Sequence, residues 1–239
     1  MRQFEFLFGI KSSRVKKNCI FLPLLQKEIL SEFKVKNFSR GKLYGIANTD
    51  DFTFIHTGMG ATCVGDAVLY LKGTACQNII LLGSCGLVSD KSDLSIGSLV
   101  SPFKCYAQES FTEMLLGRKT EPKAFYANKK LFENFLMTNQ KQGLRKVTCS
   151  TISSLKLEEE LIDSFIEQGI DVVDMECSAL FSASHYAGLK AIALFYVSDI
   201  VKKIPFYMGL EPTLKSTLFC SIKKAIALVC EFIKKNPNA

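Results

Sequence analysis

Ile170-Asp171-Val172-Val173-Asp174-Met175, a helical pattern from about Glu176 to Tyr186, Gly188, and then Ala191-Ile192-Ala193-Leu194-Phe195-Tyr196-Val197 together decide the fold. The first and last segments read as strands. The last is a continuous apolar run, the pattern of a strand covered on both faces. Gly188 stands where a helix of this length needs a left-handed C-terminal residue. Strand, helix and strand in this order imply a crossover unit in a largely parallel or mixed sheet.

The same grammar extends outward. Asn78-Ile79-Ile80-Leu81-Leu82 is a second continuous apolar run, predicted to stop at Gly83-Ser84-Cys85-Gly86. Phe52-Thr53-Phe54-Ile55-His56 reads as a strand ending at Thr57-Gly58-Met59-Gly60, followed by a helix over Ala61 to Lys72. A last helix is predicted from about Pro212 to Ile233, and Met1 to Gly9 reads as a first buried strand. With no repeat and no low-complexity linker, the expectation is an α/β chain forming a single three-layer domain over residues 1–239. Its central mixed β-sheet is flanked by helices, and its tail frays from about residue 234.

Composition narrows the class. Hydrophobic residues make up 48% and charged residues 22%, enough to bury a core without disulfide or metal staples. The nine cysteines lack any CxxC pair. Cys19, Cys76, Cys105, Cys149, Cys220 and Cys230 sit in apolar runs and read as core thiols of a reducing compartment, which points to a cytoplasmic protein without a metal site or cofactor. No apolar run approaches the ~18 residues of a membrane span, and the N-terminus lacks the apolar core of a signal peptide. The net charge of +7 is scattered in lysine pairs such as Lys16-Lys17 and Lys129-Lys130. It is not gathered with aromatics on one stripe, so a nucleic-acid partner is not expected, while an anionic small substrate fits.

In open α/β sheets ligands bind beyond the carboxyl ends of strands, and four segments fall there. Gly58-Met59-Gly60 allows close backbone approach to an anion or a sugar, or simply makes a tight turn. Gly83-Ser84-Cys85-Gly86 could form an anion nest; it lacks the Lys-Ser/Thr of a P-loop. Glu176 stands at the mouth of the predicted helix, where the macrodipole favours an ionised carboxylate able to accept from two vicinal hydroxyls, or serves only that dipole. Asp199 ends a strand buried on both faces, where burial would raise its pKa and suit it to give up a proton; the plain alternative is a cap or loop carboxylate.

Taken together, Asp174-Met175-Glu176, Gly188, Val197-Ser198-Asp199, Gly58-Met59-Gly60 and Gly83-Ser84-Cys85-Gly86 resemble the nucleoside phosphorylase/nucleosidase superfamily. The resemblance implies cleavage of a nucleoside N-glycosidic bond. It implies that Glu176 grips the ribose hydroxyls with Met175 and Met59 against the sugar, and that Asp199 protonates a purine. Gly58, Gly60, Ser84, Arg14 and Arg40 would hold phosphate, and Cys85, Gly86, Ser150, Ile152 and Ser198 would contact the base, with Ser150 and Ile152 on a loop. It also implies a dimer or hexamer whose sites are shared between copies, Arg40 reaching into its neighbour. His56 and His185 are read as structural.

The chain departs from the resemblance at the nucleophile. Leu81 stands where the phosphorylases carry a phosphate arginine, and Gly9-Ile10-Lys11-Ser12-Ser13 lacks the glutamate by which the nucleosidases activate water. A phosphate-dependent, purine-type phosphorylase is the leading expectation. A hydrolase of the methylthioadenosine/S-adenosylhomocysteine or futalosine type and a catalytically impaired nucleoside-binding protein are the alternatives.

Overall fold

The computed structural model describes residues 2–25, 27–33, 35, 37–89, 93–110 and 122–236. Its strands are β1 (Asn18–Leu22), β2 (Ser39–Arg40), β3 (Gly45–Asn48), β4 (Thr53–His56), β5 (Asn78–Leu87), β6 (Leu99–Gln108), β7 (Ala124–Tyr126), β8 (Arg145–Ile152), β9 (Val172–Asp174) and β10 (Lys190–Ile200). The α-helices among the described residues are α1 (Arg2–Phe8), α2 (Lys27–Glu32), α3 (Ala61–Leu71), α4 (Lys129–Asn139), α5 (Leu155–Glu167), α6 (Cys177–Ala187) and α7 (Pro212–Lys235).

The strands make one mixed sheet flanked by helices, as the alternating pattern predicts. Strand β1 lies parallel between β4 and β5, and β5 runs parallel to β10. The pairings β5–β10, β10–β6, β6–β8, β8–β9 and β9–β5 close a ring, so one half of the sheet curls upon itself. The other half, from β1 through β4 and β3 to β2, continues outward as an open wing. Phe21, Phe54 and Phe195 are fully buried along β1, β4 and β10; side chains of this size contribute about 1.5–3 kcal/mol each when removed from water. Such runs have no polar face to turn to solvent, which forces them into the centre of the sheet.

Several expectations change. Strands β5 and β10 do not stop at Gly83 and Ser198. They run on side by side, Phe195 to Val197 opposite Gly83 to Cys85, Asp199 opposite Gly86 and Ile200 opposite Leu87. A strand with partners on both sides satisfies its backbone by continuing, and this outweighs the local turn preference of glycine and serine. Gly83-Ser84-Cys85-Gly86 is therefore strand rather than anion nest. Ser150 and Ile152 likewise lie in β8 rather than on a loop.

The N-terminus is a helix, not a strand. Its phenylalanines satisfy both periods, and the helical one wins because Phe4, Leu7 and Phe8 then share one buried face. Phe4 and Phe8 stack with centroids 4.3 Å apart, and Gly9 ends the helix at φ 82°. At the other end Lys234 and Lys235 belong to α7, and Lys235 pairs with Glu231 at 3.1 Å; residues 237–239 of the expected tail lie outside the described residues. The nine cysteines are free, but Cys220 is exposed and Cys230 only half-buried, both on the long helix α7 rather than in the core. No helix among the described residues is long and apolar enough to cross a membrane.

Candidate active site

One pocket of about 670 Å³, counting its open mouth, gathers residues from β1, β5, β9, β10 and the start of α5. Met59, Ser84, Cys85, Gly86, Ile152, Met175, Glu176, Ser198 and Asp199 line it, together with Leu22, Glu158 and Phe206. Residues distant in sequence meet there because β5 and β10 are neighbours and β9 docks antiparallel on the end of β5.

Glu176 is 7% exposed and occupies the N-cap position of α6. The helix mouth is held by another residue. Asp174 Oδ2 accepts the Glu176 and Cys177 N–H groups at 2.8 and 2.6 Å, and its Oδ1 accepts from the Thr151 hydroxyl at 2.6 Å and the Cys149 thiol at 3.4 Å. Asp174 thus caps the helix, and the Glu176 carboxylate is free to face the pocket. Its Oε1 accepts the Gly60 N–H at 2.7 Å. Gly60 caps α3 at φ 102°, a conformation that favours glycine. The contact follows from packing: α3 and α6 lie close enough that a Cβ on Gly65 would sit 3.5 Å from that of Ala179. Burial pushes the Glu176 carboxyl up to about 7, with the Gly60 and Met175 N–H groups pulling the other way. The dipole argument alone predicted an ionised group; desolvation outweighs it.

Asp199 is 4% exposed and sits at a β-bulge, where the register with β5 shifts between Val197 and Asp199. Its plain alternative, a cap or loop carboxylate, does not hold. The bulge redirects the side chain into the pocket from a strand otherwise enclosed in the core. The Ser198 hydroxyl lies 2.6 Å from Asp199 Oδ1 and 3.3 Å from the Cys85 carbonyl oxygen. Burial raises the Asp199 carboxyl and the Ser198 hydrogen bond opposes the shift. Burial also raises the Cys85 thiol, helped by the Asp199 and Asp174 charges, so Cys85 meets the pocket as a neutral group.

Gly86 makes room for this arrangement. A Cβ there would come within 3.0 Å of Asp199 Oδ2, 3.2 Å of Val173 Cγ2 and 3.3 Å of Val201 Cγ2. We expect Gly86→Ala to cost about 1–3 kcal/mol by overpacking and to lower base release at least about tenfold by displacing the carboxylate. Thermal melting and steady-state rates measured together check this; an unchanged rate would show that the Asp199 position is not critical.

Other candidates lie elsewhere. Arg14 lines a different cleft with Asn48 and Lys223. Arg40 is exposed at the edge strand β2, near enough to His56 to depress the imidazole, though burial is the larger cause. Ser150 is fully buried and, with Gly58 and Gly60, is not part of the pocket wall, although the Gly60 N–H reaches Glu176. His185 borders a separate cleft beside Phe125. Among the described residues no lysine, arginine or histidine lines the pocket. Beneath the site, Cys105, Cys149 and Asp174 bring metal-ligating atoms within 4.8 Å of one another, but both Asp174 oxygens are already committed to hydrogen bonds.

Sequence reasoning missed Glu158. The run Glu158-Glu159-Glu160 looks like a solvated acidic stretch. The overlooked signal is periodicity: Glu158, Ile162 and Phe165 are the buried residues of α5, at helical spacing.

A family model of the phosphorylase superfamily matches residues 15–208. The DeoD-type purine nucleoside phosphorylase of Chromobacterium violaceum is 25% identical over 135 residues, and the match spans 55% of this chain and 55% of that relative. Uridine phosphorylase from Vibrio fischeri ES114 superposes with a TM-score of 0.75 at 19% identity, covering 95% of this chain and 94% of that one. The 5'-methylthioadenosine/S-adenosyl homocysteine nucleosidase of Campylobacter jejuni gives a TM-score of 0.72 at 16% identity, covering 92% and 99%. At these identities the two structures speak for the fold. Matched by the family model over most of its length, the chain belongs to the phosphorylase superfamily.

Proposed function

We propose that the protein cleaves the N-glycosidic bond of a purine-type nucleoside. The observation that carries this reading is the convergence of two buried carboxyls on one pocket, Glu176 anchored by the Gly60 N–H and Asp199 delivered by a bulge. With one oxygen fixed, Glu176 offers its other lone pairs to the 2′- and 3′-hydroxyls of a ribose, and Met175 and Met59 pack the sugar. Asp199, whose carboxyl burial shifts toward its protonated form, gives its proton to the base as the bond to C1′ breaks. A poor leaving group thereby departs neutral. The ionised form of Glu176 stabilises the ribosyl cation that forms.

Water is the nucleophile best suited to the pocket of one chain. A phosphate dianion there would face the ionised Glu176 with no cationic side chain among the described lining residues. Water adds to C1′ and its proton passes to the carboxylate that Asp199 has become, leaving free ribose and base and restoring the acid. The phosphate-dependent reading has its own support. The N-terminus of α3 abuts Glu176, where its partial positive charge suits an anion, and exposed Arg40 could complete the site from a second copy of the chain.

Base release from a nucleoside panel separates the two. We expect release in phosphate-free buffer at a rate that added phosphate leaves within about twofold. If phosphate is required, the second reading holds, and Arg40→Ala should raise the phosphate KM about tenfold or more. No release with any nucleoside would leave a binding protein and sink both.

A further inference from the structure

Glu158 is a carboxyl in the wrong place for a structural residue. It is 3% exposed on the buried stripe of α5, with Ile162 and Phe165 following at helical spacing. No hydrogen bond to its side chain is found among the described residues, yet it lines the pocket together with Asp199, Ile152, Leu155 and Phe206. A buried carboxyl without a partner is costly. Helix capping does not use it, because Ser154 accepts the Leu157 N–H at 3.3 Å. What it faces is the cavity at the Asp199 end, where the base must lie if the reading above holds.

We propose that Glu158 reads the edge of the base as a neutral carboxylic acid, donating its proton to one base atom and accepting from the neighbouring donor. The matching ligand class is a purine carrying an amino or oxo group at position 6. A 6-aminopurine presents the ring N1 as acceptor beside the amino donor. A 6-oxopurine presents the oxygen as acceptor beside the N1–H. An unsubstituted purine has the acceptor alone. Burial and the nearby Asp199 carboxyl push Glu158 up to about 8, which favours the donor-plus-acceptor form at neutral pH.

This assignment rests on the nucleoside reading of the pocket, and calorimetric titration of free bases tests the two separately. Adenine, hypoxanthine and unsubstituted purine are titrated into the wild type, Glu158→Gln and Glu158→Leu. The wild type should bind adenine or hypoxanthine at least about tenfold more tightly than purine. Glu158→Gln, whose amide also carries one donor and one acceptor face, should keep that preference within about threefold. Glu158→Leu, with a melting temperature no lower than wild type, should bind purine unchanged and lose the preference. A preference that survives in Glu158→Leu overturns the assignment and leaves the pocket reading intact. Loss of the preference in both variants overturns the neutral-acid pairing. Failure of the wild type to bind any base overturns the nucleoside reading and the Glu158 assignment with it.

Discussion

Glu176→Gln should reduce kcat/KM for nucleoside cleavage by about a hundredfold to a thousandfold. The carboxylate accepts the Gly60 N–H through Oε1 and, in the proposed complex, two ribose hydroxyls. A hydrogen bond to a charged group is worth about 1.5–3 kcal/mol, so losing one and weakening another reaches this range. The amide has a single acceptor oxygen. If that oxygen keeps Gly60, the NH2 meets the hydroxyls as a donor; if the amide flips, it confronts the Gly60 N–H. The pH profile provides a sharper check. Burial places the Glu176 carboxyl at about 7, so wild-type activity should fall about tenfold per unit as pH drops below that value, and this limb should vanish in Glu176→Gln.

Stability runs the other way. A carboxyl raised in the folded state adds stability that is full below the unfolded value near 4.5 and is lost as pH rises through about 7. At pH 8 the variant should therefore melt no lower than the wild type, which separates a lost sugar contact from a lost fold. Full activity in Glu176→Gln would remove the residue from the site.

Asp199→Asn should lower kcat by about a hundredfold to ten-thousandfold on substrates whose base needs protonation. The substitution preserves shape, and the Ser198 hydroxyl can still donate to the amide oxygen from its position 2.6 Å away. The variant lacks a transferable proton. The control is p-nitrophenyl β-ribofuranoside, whose leaving group departs as a stable anion without protonation. Its cleavage should fall by less than about tenfold. Equal losses on both substrates would mean that Asp199 only shapes the pocket.

How far the sequence reached can be judged residue by residue. The apolar runs at Asn78–Leu82 and Ala191–Val197 announce buried strands because a segment with no polar face has only the sheet interior to occupy. The order of strands, glycines and acids was enough to bring out the family. Strand length was not legible: Gly83–Gly86 and Ser198–Asp199 look like turns until the β5–β10 pairing supplies their backbone partners. The N-terminal phenylalanines fit two periods, and only the surface they pack against chooses the helix.

The site divides along the same line. Glu176 and Asp199 stood out in the sequence as acids beside apolar runs, and the types of residue needed to bind a sugar and protonate a base follow from side-chain chemistry. Their environment did not. Asp174 rather than Glu176 secures the mouth of α6, and Gly60, 116 positions away from Glu176 in sequence, provides the hydrogen bond that orients it. Arg14 faces another cleft, and Glu158 enters this one. The sequence by itself determined the alternating architecture and the family, and it put forward Glu176 and Asp199 as candidates, because these depend on local periodicity and on side-chain type. The tertiary structure decided which acids share the pocket and that burial raises their carboxyls, because desolvation and hydrogen bonding act between residues that only the closed sheet brings together.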